Sequence, residues 1–168
     1  MSAFGLPLYL IDKTPNNLTD SEFTDMYERV RMRVHCTLRN ADRTVVMVYK
    51  SGVMAPLACL EYGAGNALGT IQVNGKAAVP MNDYLIRVTK GSRKFVASDG
   101  QTYTWKYTPD AEEVWQCLNP RSYSVATYGS SGASSNSHNL TIEEGWIHLT
   151  AELLASLVIM RHIVKYNL

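Results

Sequence analysis

The chain has 168 residues, 46% of them apolar and 18% charged, with a formal net charge of +1. That length suits a single domain, residues 1–168, with a substantial core. The composition excludes a highly charged disordered chain and any overall electrostatic pull toward nucleic acid.

The opening residues, Met1 to Pro7, show no basic stretch followed by a long apolar run, so a cytoplasmic location is expected. From Leu8 to Ile142 short aliphatic and aromatic runs are repeatedly closed by turn residues, which is the pattern of strands. The predicted strands are Leu8 to Ile11, Glu28 to Leu38, Thr44 to Lys50, Leu57 to Tyr62, Gly69 to Val73 and Tyr84 to Thr89, then Lys94 to Ala97, Thr102 to Tyr107, Val114 to Leu118, Ser124 to Tyr128 and Leu140 to Ile142. Ser51-Gly52, Asn74-Gly75, Gly91-Ser92 and Asp99-Gly100 separate them, and such pairs permit the positive φ angles of tight hairpins. Between the first two strands one segment is ambiguous, since Thr19 followed by Glu22 could be a capping box opening a short helix through Phe23 and Met26. Cys36, Cys59 and Cys117 are odd in number and widely spaced, and read as buried core thiols rather than a disulfide framework or a zinc site. Gly129 to Asn139 is low in complexity and reads as a mobile loop, because its small polar residues cannot offset their ordering entropy by burial.

A helix is predicted from Thr150, as N-cap, to about Tyr166. Nearly every residue from Leu153 to Met160 is apolar, so no polar stripe is left to face water. Glu152 on one side and Arg161-His162 on the other leave the run short of a membrane span, so burial inside the protein is expected. A sheet that surrounds such a helix must curve strongly, and about ten strands suffice to close a barrel around it. The fold class is therefore mainly β: a closed antiparallel barrel around a buried apolar C-terminal α-helix.

Several motifs carry a family resemblance. Asp99-Gly100-Gln101-Thr102-Tyr103-Thr104-Trp105 is similar to the Asp-Gly-x-x-Tyr-x-Trp hairpin of a family of fungal (basidiomycete) proteins of unknown function, related to the tubby-like, LURP-one-like and scramblase barrels. Ala58 to Tyr62, Ser124 to Tyr128, Leu140 to Ile142 and the terminal helix resemble that family in the same order, over about the last two thirds of the chain. The resemblance implies a barrel of twelve or nearly twelve antiparallel strands around a hydrophobic helix. It implies little about activity, because fold does not fix function.

The residues point to binding rather than catalysis. Tyr103, Trp105 and Tyr107 fall on one strand face at period two and either pack on the helix or line a pocket. With Trp115, Trp146 and His148 they are the candidate site for a small apolar or aromatic ligand, a lipid, metabolite or pigment, near the barrel mouth. Such a ligand sits at an end of the barrel or between subunits, which leaves a homo-oligomer open. Arg29, Arg31 and Arg33 share one face of a strand, either as a solvated outer surface or as a contact for acidic phospholipids in a membrane-surface adaptor. His35 and Cys36 point to opposite strand faces, and the four histidines lack a third metal ligand at a telling spacing. Gly63, Gly65 and Gly69 precede a strand rather than a helix and read as a turn. No catalytic, cofactor or metal motif is found, and a non-enzymatic intracellular binding protein is expected.

Overall fold

A computed structural model describes residues 5–110, 114–130 and 136–168. Its architecture is one antiparallel sheet of thirteen strands with a long C-terminal helix. The first meander runs through β1 (Leu8–Asp12), β2 (Ser21–Thr24), β3 (Val30–Arg39), β4 (Arg43–Lys50), β5 (Ala58–Gly63), β6 (Thr70–Val73) and β7 (Val79–Pro80). A single helical turn, α1 (Met81–Tyr84), leads into the second: β8 (Ile86–Thr89), β9 (Ser92–Val96), β10 (Thr102–Tyr107), β11 (Trp115–Leu118), β12 (Ser124–Ser130) and β13 (His138–Ile142). Every ladder joins strands adjacent in sequence except one, β1 against β13, which fuses the two meanders.

The tight turns form where the sequence places them, with Gly52, Gly75 and Gly100 all at positive φ. The ambiguous segment of Thr19 and Glu22 is resolved against the capping-box helix. Ser21–Thr24 is a strand with Ser21, Phe23 and Thr24 buried, and its pairing to β1 and β3 outweighs the local helical signal. Of the small polar stretch 129–139, Gly129 and Ser130 extend β12 and pair with Asn139 and His138 of β13; residues 131–135 lie outside those described. Of the cysteines, Cys117 is buried in the core, whereas Cys36 and Cys59 are only half-buried, and all three are free thiols.

Inward-facing residues alternate along the strands, as in β5, where Ala58, Leu60 and Tyr62 are buried and their neighbours are not. What they cover is α2 (Thr150–Tyr166), in which every residue from Glu152 to Met160 is buried. Two and a half turns without an exposed face require protein on every side. The side-chain contacts show it: α2 meets β10 through Trp105 and Ser156, β5 through Tyr62 and His162, and β1 and β12 through Arg161. The segment Glu144–Tyr166 is long and apolar enough to cross a membrane, but 67% of its most apolar stretch is buried within the protein. Burial of its large apolar side chains contributes on the order of 10 kcal/mol, comparable with the net stability of a whole domain.

Thr150 is not the N-cap. The 3-10 turn Glu144–Leu149 runs straight into α2, and the Thr150 hydroxyl donates to the Ile147 carbonyl at 2.6 Å. Glu152 lies in the first turn, as expected, and its buried carboxylate accepts the Ser98 N–H at 3.1 Å and the Ser98 hydroxyl at 3.2 Å.

The closure expected of a barrel is not made by strand pairing. β7 and β8 are the two ends of the strand order, and no ladder joins them. β7 is two residues long and ends in Pro80, which has no N–H to offer a ladder. Between them lies α1, with Met81 and Leu85 fully buried, the Met81 N–H bonded to the Gly69 carbonyl and Arg93 donating to Asn82 and to the Leu85 carbonyl.

Candidate functional site

The Asp99-Gly100 hairpin explains the spacing of its own motif. One Asp99 carboxylate oxygen accepts the Gln101 N–H at 2.9 Å and so holds the turn; the other accepts the Tyr103 hydroxyl at 2.6 Å. Tyr103 in turn accepts the Trp146 indole N–H at 3.1 Å. Two residues along β10, the Trp105 indole N–H donates to Ser156 Oγ at 2.8 Å, in the middle of α2. Tyr103 and Trp105 are thereby closed from solvent and tie the hairpin to the helix.

The six aromatic and histidine candidates consequently divide along the axis of α2. Tyr103, Trp146 and His148 border a shallow cleft of about 460 Å³ at the N-terminal end of the helix. Trp105 is sealed between the ends. Tyr107 and Trp115 lie at the C-terminal end, their rings 4.6 Å apart and tilted. The arginine set divides too. Arg29 precedes β3 and is held by Asp25, with Nε 2.8 Å from the carboxylate, whereas Arg31 and Arg33 are exposed on β3.

At the C-terminal end, Tyr107 and Trp115 share a recess of about 370 Å³ with Tyr128, His138, Arg161 and Lys165. Tyr128 and His138 stack with centroids 5.3 Å apart. The guanidinium of Arg161 lies 4.5 Å from the centre of the Tyr128 ring and 3.6 Å from Asp12, and it donates to the Pro15 carbonyl. Asp12 is fully buried and also accepts the Tyr128 hydroxyl at 2.7 Å, the Thr14 N–H at 3.0 Å and the Ser21 hydroxyl. This is a buried charge with its partners in place, as burial of a carboxylate demands. Desolvation, then the positive charge of Arg161, holds His138 below the usual imidazole range, so its ring is neutral at pH 7.

On the other side of the Pro15–Leu18 segment lies a larger cleft of about 900 Å³, with Tyr62 and His162 among its walls. Those two rings stack at 4.0 Å, and His162 Nε2 donates to the Asn66 carbonyl at 2.8 Å. Gly63 and Gly65 line this cleft as part of a turn, with Gly65 at φ 63°, and a strand follows. Among the described residues no group of three or more His, Cys, Asp or Glu side chains converges as a metal site.

Asp12, Tyr128, His138 and Arg161 were not legible as a set. They come from β1, β12, β13 and α2, and the Tyr128 to Asp12 bond spans 116 residues of sequence. The available signals were a carboxylate ending an alternating strand and an arginine at the end of an apolar helix, both unusual places for charge.

A family model matches residues 3–165, a family of unknown function (DUF6593). No curated protein and no solved structure matches the chain.

Proposed function

The chain belongs to the DUF6593 family of unknown function, and from that premise we propose that it is a non-enzymatic binding protein for a small aromatic molecule, such as a metabolite or pigment. The ligand sits in the recess bordered by Tyr107, Trp115, Tyr128 and His138. The observation that carries this reading is the convergence there of four rings from four consecutive strands beside the guanidinium of Arg161. A flat ligand gains about 0.5 to 1.5 kcal/mol per well-placed aromatic contact beyond the area it buries. The recess volume falls in the range of small-molecule sites, and Arg161 and Lys165 at its wall favour a ligand with a carbonyl or acidic substituent. The same reading takes the curled sheet as a tubby-like barrel, in which Met81 and Leu85 fill the place of the missing ladder, in a fungal protein working in the cytoplasm.

The test is an absorption spectrum and mass spectrum of the protein purified from its natural source, with tryptophan-fluorescence titration by anilinonaphthalene sulfonate as a defined aromatic probe. A co-purifying aromatic molecule, and saturable quenching weakened in Tyr107→Ala without loss of fold, are expected. No bound molecule and no saturable quenching would overturn the proposal.

A second reading is favoured by Arg31 and Arg33, both exposed and in no ion pair among the described residues. It makes the protein a membrane-surface adaptor whose β3 contacts acidic phospholipids. Flotation with phosphatidylserine vesicles should then weaken as salt rises and be lost in Arg31→Gln/Arg33→Gln; binding indifferent to both would exclude it.

A further inference from the structure

The larger cleft does not depend on the aromatic recess for its argument, and its chemistry is different. Among the described residues that line it are three cationic side chains, Lys13, Arg39 and Lys165, and no Asp or Glu. In a chain with a net charge of +1 this is a local excess of one sign. The cations are available. Lys13 touches Glu28 at 3.2 Å, but both side chains are more than half exposed, so that pair is weak and easily redirected. Arg39 donates to the Thr19 hydroxyl at 2.7 Å and pairs with no carboxylate among the described residues, and Lys165 lies over the Tyr166 ring.

The C-terminal end of α2 opposes this field, but with only about half a negative charge. Its last turn is also capped, since Asn167 adopts the left-handed conformation and its N–H bonds to the Ile163 and Val164 carbonyls. Even with Glu28 counted against Lys13, positive charge prevails.

An independent observation points the same way. The Tyr62 ring is buried on the inner face of β5 and lines the cleft, yet its hydroxyl has no hydrogen-bond partner among the described residues. A buried unmade hydrogen bond costs about 1 to 3 kcal/mol. Among the described residues Tyr84, Thr24 and His138 each also hold a buried polar atom without a partner; Tyr84 and Thr24 line none of these clefts, and His138 lines the aromatic recess rather than this one. Burial pushes the Tyr62 pKa well up, so the group stays a neutral donor, suited to an acceptor oxygen.

We propose that this cleft binds a small organic anion, a molecule carrying carboxylate or phosphate groups, through Lys13, Arg39 and Lys165 at its walls and the Tyr62 hydroxyl at its inner end. Its volume, about 900 Å³, is far more than an inorganic ion needs and matches an organic molecule. The shared chemistry is an anionic oxygen cluster on an organic frame, and the two headgroups are separated by experiment.

Calorimetric titration of the whole chain with ATP, with citrate and with inorganic phosphate tests it. Saturable binding of ATP identifies phosphate chemistry and of citrate carboxylate chemistry, with inorganic phosphate the weakest of the three. Arg39→Gln should weaken the tighter probe about tenfold, Tyr62→Phe severalfold, and higher salt should weaken it further. Both residues belong to this cleft and not to the aromatic recess, and Tyr62→Phe removes only an atom without a partner, so folding is preserved. Failure of ATP and citrate to saturate overturns the proposal. So does binding that survives Arg39→Gln and Tyr62→Phe unchanged, or that is lost only in Arg31→Gln/Arg33→Gln on the outer face.

Discussion

Two tyrosines on the inner face of the sheet, at opposite ends of α2, are treated in opposite ways. Tyr103 and Tyr62 are equally closed to solvent, at 1% and 2% exposure. The Tyr103 hydroxyl donates to Asp99 and accepts from Trp146, so it helps fasten hairpin, 3-10 turn and strand together at the N-terminal end. The Tyr62 hydroxyl has no hydrogen-bond partner among the described residues. At the first end polar atoms are used to hold the chain in place; at the second Asp12, Arg161 and the Tyr128 hydroxyl do the same, but beside the two clefts bordered by Lys165 the Tyr62 hydroxyl and His138 Nδ1 are left over among the described residues. Recognition is to be sought where the fold does not need its own polar groups.

The comparison rests on both ends gripping one buried helix, and Leu157→Asp tests that first. A carboxylate in the fully buried middle of α2 should abolish folding, seen as loss of the cooperative thermal transition by circular dichroism, and a native-like melt would remove the basis for distinguishing two ends. Next in size is Arg161→Met, which leaves Asp12 without its cation. A loss of about 3 kcal/mol in urea unfolding is expected, because breaking a buried pair costs more than the pair contributes. The sharpest test is the matched pair of hydroxyl deletions. Tyr103→Phe should cost about 1 kcal/mol, whereas Tyr62→Phe should stay within about 0.5 kcal/mol of the parent. Equal losses would erase the contrast.

The smallest effect concerns acid. Burial, as the leading cause, holds both His138 and His162 below the ordinary imidazole value of 6.5. Unfolded, each binds its proton near that ordinary value; folded, only at lower pH. Stability should therefore fall as pH drops below about 6.5 and level off once the folded form is protonated as well. Urea midpoints between pH 7 and about 5 should shift less in His162→Gln than in the parent, and an unchanged pH slope would show that the ring is not held neutral.

Strand positions were largely legible because hairpin chemistry is local: Asn74-Gly75 and Asp99-Gly100 turn the chain without help from distant residues. The burial of α2 was legible for a related reason, since a helix with no polar stripe has no other soluble place to go. β2 is ambiguous in the sequence because its helical signal is local while its pairing is not, and β7 is too short to leave a pattern. The period-two spacing of Tyr103, Trp105 and Tyr107 correctly places them on one face. It could not show that the length of a strand carries them from one end of the helix to the other. The set of Asp12, Tyr128 and Arg161 depends on the β1–β13 ladder, for which no hairpin signal can exist.

That ladder has a consequence for how the molecule is made. β1 is synthesised well before β13, finds β2, and must keep its other edge unpaired until β13 follows. The inner faces of both meanders wait longer still, because the helix they cover ends at Tyr166. Synthesis therefore passes through a long interval in which a half-built sheet has apolar residues and no core to bury them in, the condition under which nascent chains aggregate or recruit chaperones. The fold cannot be completed before α2 has been made, and a chain halted before α2 has nothing to fold around.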